Sequence, residues 1–223
     1  MGTDCPISSI KAIRELNFLA HEFFYFIRMM ATDNEILKNV EAFAAEAHGK
    51  QMRKYADEQY IHHPIRVMET VRTLTQDVTM LAAALLHDVL EDTPVGPREL
   101  GNFLSTVMDK PRAERTLDLV EELTDVYVKA DYPTMNRRTR RTKEAGRLSD
   151  ASPDAQTIKY ADVIDNSVDI SHQETDFALV YLRECKQLLQ EINKGNPQLY
   201  ERAVRTVDEC LREFWNKSNV KAL

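Results

Sequence analysis

Residues 78–93 run Val-Thr-Met-Leu-Ala-Ala-Ala-Leu-Leu-His-Asp-Val-Leu-Glu-Asp-Thr. From 78 to 90 the stretch is apolar nearly all round, which describes a central helix buried on every side. Its far end breaks that pattern. His87 and Asp88 sit in the most apolar helix of the chain, where an imidazole and a carboxylate are costly unless paired or bound to a metal. Adjacent helix positions lie about 100° apart, so the two side chains can converge on an ion at the helix edge. Glu91 follows His87 by four residues and Asp92 follows Asp88 by four, so both carboxylates project from the same side one turn on. Two acids at a helix C-terminus face the negative end of the macrodipole, a poor placement for stability alone. Taken by itself, the His-Asp pair reads more readily as an ordinary capped helix with a satisfied histidine.

The rest of the chain carries the same helical period. Ile10, Ile13, Leu16 and the run 18–27 predict a first, strongly apolar helix, and Leu37, Val40, Phe43, Ala44 and Ala47 a second that ends near Gly49. Residues 64–74, opening on Pro64, predict a third. Pro97 opens another, and Leu117, Val120 and Leu123 mark the next. Ser152-Pro153 gives an N-cap with proline at the first helical position, launching a helix to about Ile170. Two amphipathic helices follow, from about Asp176 to Ile192 and from Pro197 to Trp215, parted by Gly195-Asn196. With no repeat, low-complexity tract or linker, the 223 residues predict a single all-α domain.

Hydrophobic residues at 43% and charged residues at 29% exclude a disordered chain. No stretch approaches the ~20 apolar residues of a membrane helix, and no basic-then-apolar leader opens the sequence. Three widely spaced cysteines, Cys5, Cys185 and Cys210, suit reduced thiols and a cytoplasmic setting. The net charge of −7 argues against non-specific nucleic-acid or anionic-membrane binding, though not against a small phosphorylated ligand. One basic cluster, Arg137, Arg138, Arg140, Arg141, Lys143 and Arg147, reads as a solvated helix face or a phosphate contact.

Two further segments join the His-Asp pair. His62-His63-Pro64 stands at the mouth of the preceding helix, and Asp162 and Asn166 lie at i, i+4 on a helix that should be largely buried. His63, His87, Asp88 and Asp162 together supply two imidazoles and two carboxylates, a set suited to manganese or another hard-to-borderline divalent ion.

The order His…His-Asp…Asp resembles the HD superfamily of metal-dependent phosphohydrolases. Tyr60-Ile61-His62-His63-Pro64, the string from Ala83 to Thr93, and Lys159-Tyr160-Ala161-Asp162…Asn166 resemble more closely the alarmone hydrolase domain of RelA/SpoT-type proteins and their stand-alone small hydrolases, over roughly residues 40–170. The resemblance implies an HD-type helical bundle in which His63, His87, Asp88 and Asp162 are metal ligands binding one divalent ion, Mn2+ foremost. It makes Glu91 and Asp92 the acidic pair that positions or activates water, Asn166 a substrate contact, and Arg53-Lys54 a basic pair over the nucleotide. His48 and Gln51 echo the same pattern without an assigned role. The implied reaction removes the 3′-pyrophosphate of guanosine tetra- or pentaphosphate, and no room remains for a synthetase domain.

The sequence departs from that pattern in two places. A glycine- or proline-containing loop is usual after the basic pair, whereas this chain has Tyr55-Ala56-Asp57-Glu58-Gln59, which bears on nucleotide preference. Ser167 replaces a common leucine and Asp165 precedes Asn166, changes expected to touch the pocket wall rather than the ligands. Residues 1–39 and 171–223 flank the core as candidates for an oligomer contact or a lid. The rival readings are a phosphohydrolase for another nucleotide or a phosphate monoester such as that of NADPH, a non-catalytic nucleotide-binding module, and a helix-bundle scaffold.

Overall fold

The computed structural model describes residues 32–54, 56–173 and 176–221. Among them every regular element is a helix, and the sole β-type pairing is an isolated bridge between Met52 and Gln59. The helices are α1 (Asp33–His48), α2 (His62–Arg72), α3 (Val78–Leu86), α4 (Val89–Asp92), α5 (Pro97–Val107), α6 (Lys110–Leu123), α7 (Arg137–Asp150), α8 (Pro153–Ser171), α9 (Asp176–Glu191) and α10 (Pro197–Lys221). The all-α expectation holds. The helix expected over 10–27 lies outside the described residues. No helix among the described residues is long and apolar enough to cross a membrane.

Side-chain caps start most of these helices where the sequence places Ser, Thr, Asp or Asn. Thr32 and Glu35 form a reciprocal capping box on α1, while Asp77, Asp109, Asn136 and Ser152 accept backbone N–H groups at the starts of α3, α6, α7 and α8. Each such cap contributes about 1 kcal/mol. Every residue of α3 is buried, and the helix packs against α1, α2, α6 and α8. Burying Leu81, Leu85 and Leu86 stabilises the fold by about 1.5–3 kcal/mol each. Helix α8 is the second axis of the core, gripped by α2 on one side and α10 on the other. The α9–α10 turn closes over it at Gly195, where a Cβ would lie 2.6 Å from a Tyr160 ring carbon and 2.8 Å from the Thr157 nitrogen.

The expected continuous helix over 78–90 is corrected in one respect that matters to the site. Helix α3 stops at Leu86, His87 and Asp88 form a turn, and α4 restarts at Val89. The cause is local: His87 Nδ1 bonds the Ala84 carbonyl at 2.8 Å, so the side chain occupies the acceptor that would have extended the ladder. Asp88 consequently adopts φ −99°, ψ −3°, between the helical and extended wells.

Candidate active site

His63 is the second residue of α2, His87 and Asp88 form the α3–α4 turn, and Asp162 lies mid-way along α8. Because α8 packs on both α2 and α3, all four side chains meet. His63, His87 and Asp88 each present one ligand-type atom, and these atoms lie within 4.8 Å of one another. Asp162 Oδ1 stands 3.2 Å from His63 Nε2 and 3.7 Å from His87 Nε2, while Asp88 Oδ2 stands 3.5 Å and 3.0 Å from the same two nitrogens.

The far side of each imidazole fixes its tautomer. The Ala84 carbonyl can only accept, so His87 Nδ1 carries the hydrogen. His63 Nδ1 lies 2.7 Å from the Asp165 carboxylate, which sets the same tautomer. The two Nε2 atoms are therefore left with lone pairs when the rings are neutral, and both are buried with no hydrogen-bond partner. Two lone pairs facing two carboxylates repel unless a proton or a cation lies among them, and the four residues fit a divalent ion on that ground.

The electrostatics of the site show one focus of negative charge. Burial opposes charge on both rings, yet Asp162, Asp165 and Asp88 hold His63 well above the ordinary histidine range. Burial likewise opposes the His87 imidazolium, and Asp88 and Asp162 nonetheless raise it to about 9. Burial pushes the Asp88 and Asp162 carboxyls upward, but the two histidines, with Lys159 at Asp162, draw both well below the usual range. Protons on the imidazoles and a divalent ion compete for one focus of negative charge.

Around this focus, Tyr60 donates its hydroxyl to Asp88 Oδ2 at 2.7 Å, and Lys159 Nζ lies 2.7 Å from Asp162 Oδ2. Asn166 Nδ2 donates to Asp162 Oδ1, and Asn166 Oδ1 accepts from Arg53 Nη2 at 2.9 Å. Glu91 and Asp92, on α4, stand at the rim of a cavity of about 650 Å³ that Asp88, Asp162 and Asn166 also line. Burial, then the Asp125 and Asp88 charges, push the Glu91 carboxyl up to about 7. Asp92 Oδ2 accepts from Gln51 Nε2 at 3.5 Å, and Gln51 Oε1 lies 3.0 Å from His48 Nδ1. His48 itself stacks behind Tyr60, ring centroids 4.6 Å apart.

The expected substrate-contacting residues divide. Asn166 lines the cavity, whereas Arg53 and Lys54 are not among its lining residues. The Arg53 guanidinium is tied to Asp169 at 2.7 Å and to Asn166, and Lys54 Nζ rests 5.3 Å from the centre of the Phe177 ring. The basic helix α7 divides too. Arg137 is paired with Glu184, and Arg147 with Glu144, but Arg138 and Arg141 face the cavity. Arg141 holds Asp125 at 2.8 Å.

Sequence reasoning assigned no role to Lys159 or Arg66 and placed Asp165 elsewhere. Asp165 was expected at the pocket wall; it instead touches His63 directly, because three residues past Asp162 on α8 is the same face of the helix. The same i, i+3 spacing placed Lys159 beside Asp162, a signal open to reading. Arg66, 99 positions before Asp165, carried none.

The profile of the HD domain family matches residues 41–166, a span holding every residue expected at the site. The mouse (Mus musculus) guanosine-3′,5′-bis(diphosphate) 3′-pyrophosphohydrolase MESH1 is 29% identical over 191 residues, covering 81% of this chain and 97% of its own. Its Xenopus tropicalis counterpart of the same name is 30% identical over 171 residues, covering 74% of this chain and 87% of its own. A solved structure, described as a metazoan ortholog of SpoT that hydrolyzes ppGpp and plays a role in starvation responses, superposes with a TM-score of 0.64 at 25% identity over 80% of this chain and 94% of that one. With its four ligand-type side chains converging inside the matched span, the chain belongs to the HD domain family.

Proposed function

We propose that this HD-domain protein is a divalent-metal-dependent phosphohydrolase that removes the 3′-pyrophosphate of guanosine tetra- or pentaphosphate, releasing GDP or GTP and pyrophosphate. One observation carries the reading: the buried, partnerless Nε2 atoms of His63 and His87 face Asp88 and Asp162 in the wall of a cavity of nucleotide size. Relatives named guanosine-3′,5′-bis(diphosphate) 3′-pyrophosphohydrolase support the substrate class.

In this reading His63, His87, Asp88 and Asp162 hold the ion, and the mixed imidazole–carboxylate set suits Mn2+. Such an ion supplies charge neutralisation at the phosphoryl group and a lowered pKa for water. The chain's own groups do the remainder. With its carboxyl near 7, Glu91 exists in both protonation states at neutral pH, so it can accept a proton from the attacking water or deliver one to the departing ribose 3′-oxygen. Asp92, steadied by Gln51, orients the water from the same turn. Asn166 keeps one amide hydrogen for substrate while its other contacts fix its plane. Arg53 and Lys54 mark the nucleoside side, Arg53 acting through Asn166, and Arg138 and Arg141 receive the pyrophosphate oxygens from α7. We assign residues 1–223 to one domain built on the 40–170 core, in the cytoplasm, with the flanking segments available for self-association.

A second reading, hydrolysis of another nucleotide such as an adenine alarmone or NADPH, is favoured by one feature: Glu58, in the unusual loop, is committed to Arg66 at 2.8 Å. The test is to strip the metal, reload with Mn2+, and offer guanosine tetraphosphate, an adenosine 3′-pyrophosphate, NADPH and a generic phosphoester, identifying products by phosphorus NMR. Pyrophosphate and GDP, lost on chelation and restored by Mn2+, is the expected outcome. Faster turnover of NADPH or the adenine compound would overturn the guanosine assignment. Full activity after verified metal depletion would overturn the metal role.

A further inference from the structure

Behind His63 runs a chain of charges that the reaction described above does not use. His63 Nδ1 donates to Asp165 Oδ2 at 2.7 Å. Arg66 clasps the same carboxylate with two bonds, Nε to Oδ1 at 2.6 Å and Nη2 to Oδ2 at 3.0 Å. Glu58 then holds Arg66, its oxygens 2.8 and 3.0 Å from Nη2 and Nη1. His63 is wholly buried and Asp165 nearly so, while Arg66 and Glu58 reach the surface. The order Glu58–Arg66–Asp165–His63 alternates in charge from solvent to the buried ring.

We propose that Asp165, locked by Arg66 and Glu58, is a positioning residue that fixes the tautomer and aim of His63 and thereby sets the protein's affinity for its divalent ion. The physical argument has three parts. A neutral imidazole has one lone pair, and only a hydrogen on Nδ1 leaves it at Nε2, where Asp88 and Asp162 converge. A carboxylate accepting from Nδ1 makes Nε2 a better donor to a cation and removes ring rotation. A free aspartate side chain would itself be mobile, but bidentate clasping by a guanidinium holds both its oxygens in one plane. Glu58 belongs to the segment 55–59, so the same chain connects that segment to the ion.

The inference rests on reading His63 as a ligand, and the test separates the two. Mn2+ affinity of the metal-free protein is measured by competition with a fluorescent chelator, alongside its melting temperature, for the native chain and for Asp165→Ala, Asp165→Asn, Glu58→Gln and His63→Ala. Loss of a carboxylate in this position should weaken the ion by about 10–100-fold. Asp165→Asn keeps an accepting oxygen without the charge and should fall between native and Asp165→Ala; Glu58→Gln should have the smallest effect. A carboxylate that merely neutralises Arg66 would lower the metal-free melting temperature and leave affinity at the native value, which overturns the proposal. If Asp165→Ala does not fold, the isosteric Asp165→Asn decides. Native affinity in His63→Ala would show that His63 is no ligand, and both readings fall together. Loss of the ion in His63→Ala with native affinity in Asp165→Asn sinks the positioning role alone.

Discussion

Binding of Mn2+ to the metal-free protein at pH 7 should release at least the proton held by His87. The count follows from the site. Without an ion, Asp88 and Asp162 raise the His87 imidazole to about 9, so its Nε2 carries hydrogen at neutral pH, and the neighbouring carboxylates hold His63 well above the ordinary range too. Asp88 and Asp162 are already ionised, their carboxyls being held low, and have no proton to give. A cation needs both nitrogen lone pairs and must displace whatever protons the two rings hold. The apparent dissociation constant should then fall at least about tenfold per pH unit between pH 6 and 8 through His87 alone, or about 1.4 kcal/mol per unit, and more steeply where His63 also holds a proton. The dependence should flatten near pH 9 as His87 loses its proton unaided.

The metal-free fold should respond with the opposite sign. A histidine whose folded-state value is raised from 6.5 to about 9 contributes stability that is fully present below 6.5 and lost as pH climbs to 9, about 3 kcal/mol for His87. The gap between metal-bound and metal-free melting temperatures should therefore widen steadily from pH 6 to 9. Titration calorimetry in buffers of different ionisation enthalpy counts the protons directly, and chelator competition gives the pH slope. Proton release near zero, or an affinity flat between pH 6 and 8, would refute the assignment of the two Nε2 atoms as ligands.

Other expectations are more local. Glu91→Gln should lower kcat by about 10²–10⁴-fold while equilibrium dialysis finds the Mn2+ content unchanged; parallel loss of metal would make Glu91 a ligand instead. Arg138→Ala, removing a guanidinium that faces the cavity, should raise KM about tenfold or more with little change in metal content. Leu85→Ala, in the fully buried α3, should cost about 2–5 kcal/mol in a denaturant titration. Gly195→Ala should also destabilise, since the new Cβ meets the Tyr160 ring and the Thr157 backbone, and a melting temperature equal to the native one would show that the α9–α10 turn can shift.

Much of this architecture is legible from local chemistry. Ser152-Pro153 announces α8, and the all-apolar run from Val78 announces α3, because capping and burial act within a few residues. The break at His87 was not legible: an imidazole capturing the carbonyl three residues back competes with the backbone on nearly equal terms, and composition does not decide that contest. The matched motifs made the four ligand-type residues legible as a set, and α8 packing on α2 and α3 brings that set together.

The fate of the basic residues shows where sequence reading stops. Arg53 and Arg138 look alike in the sequence, yet one is buried against Asp169 and Asn166 and the other faces the cavity from α7. What separates them is the position of carboxylates more than a hundred residues away in the case of Arg53, and a spacing rule confined to one helix cannot supply it. Asp165 carries the same lesson in reverse. Its neighbours in sequence suggested a variation in the pocket wall, but the helix turned it toward His63, where Arg66 from another helix met it. A carboxylate that would be costly to bury alone becomes tolerable there because a donor on each side satisfies it. Local sequence thus sets which side-chain types are available, while the long-range packing of α8 on α2 and α3 sets which of them are left with an unsatisfied atom, and the proposed ion site rests on those atoms.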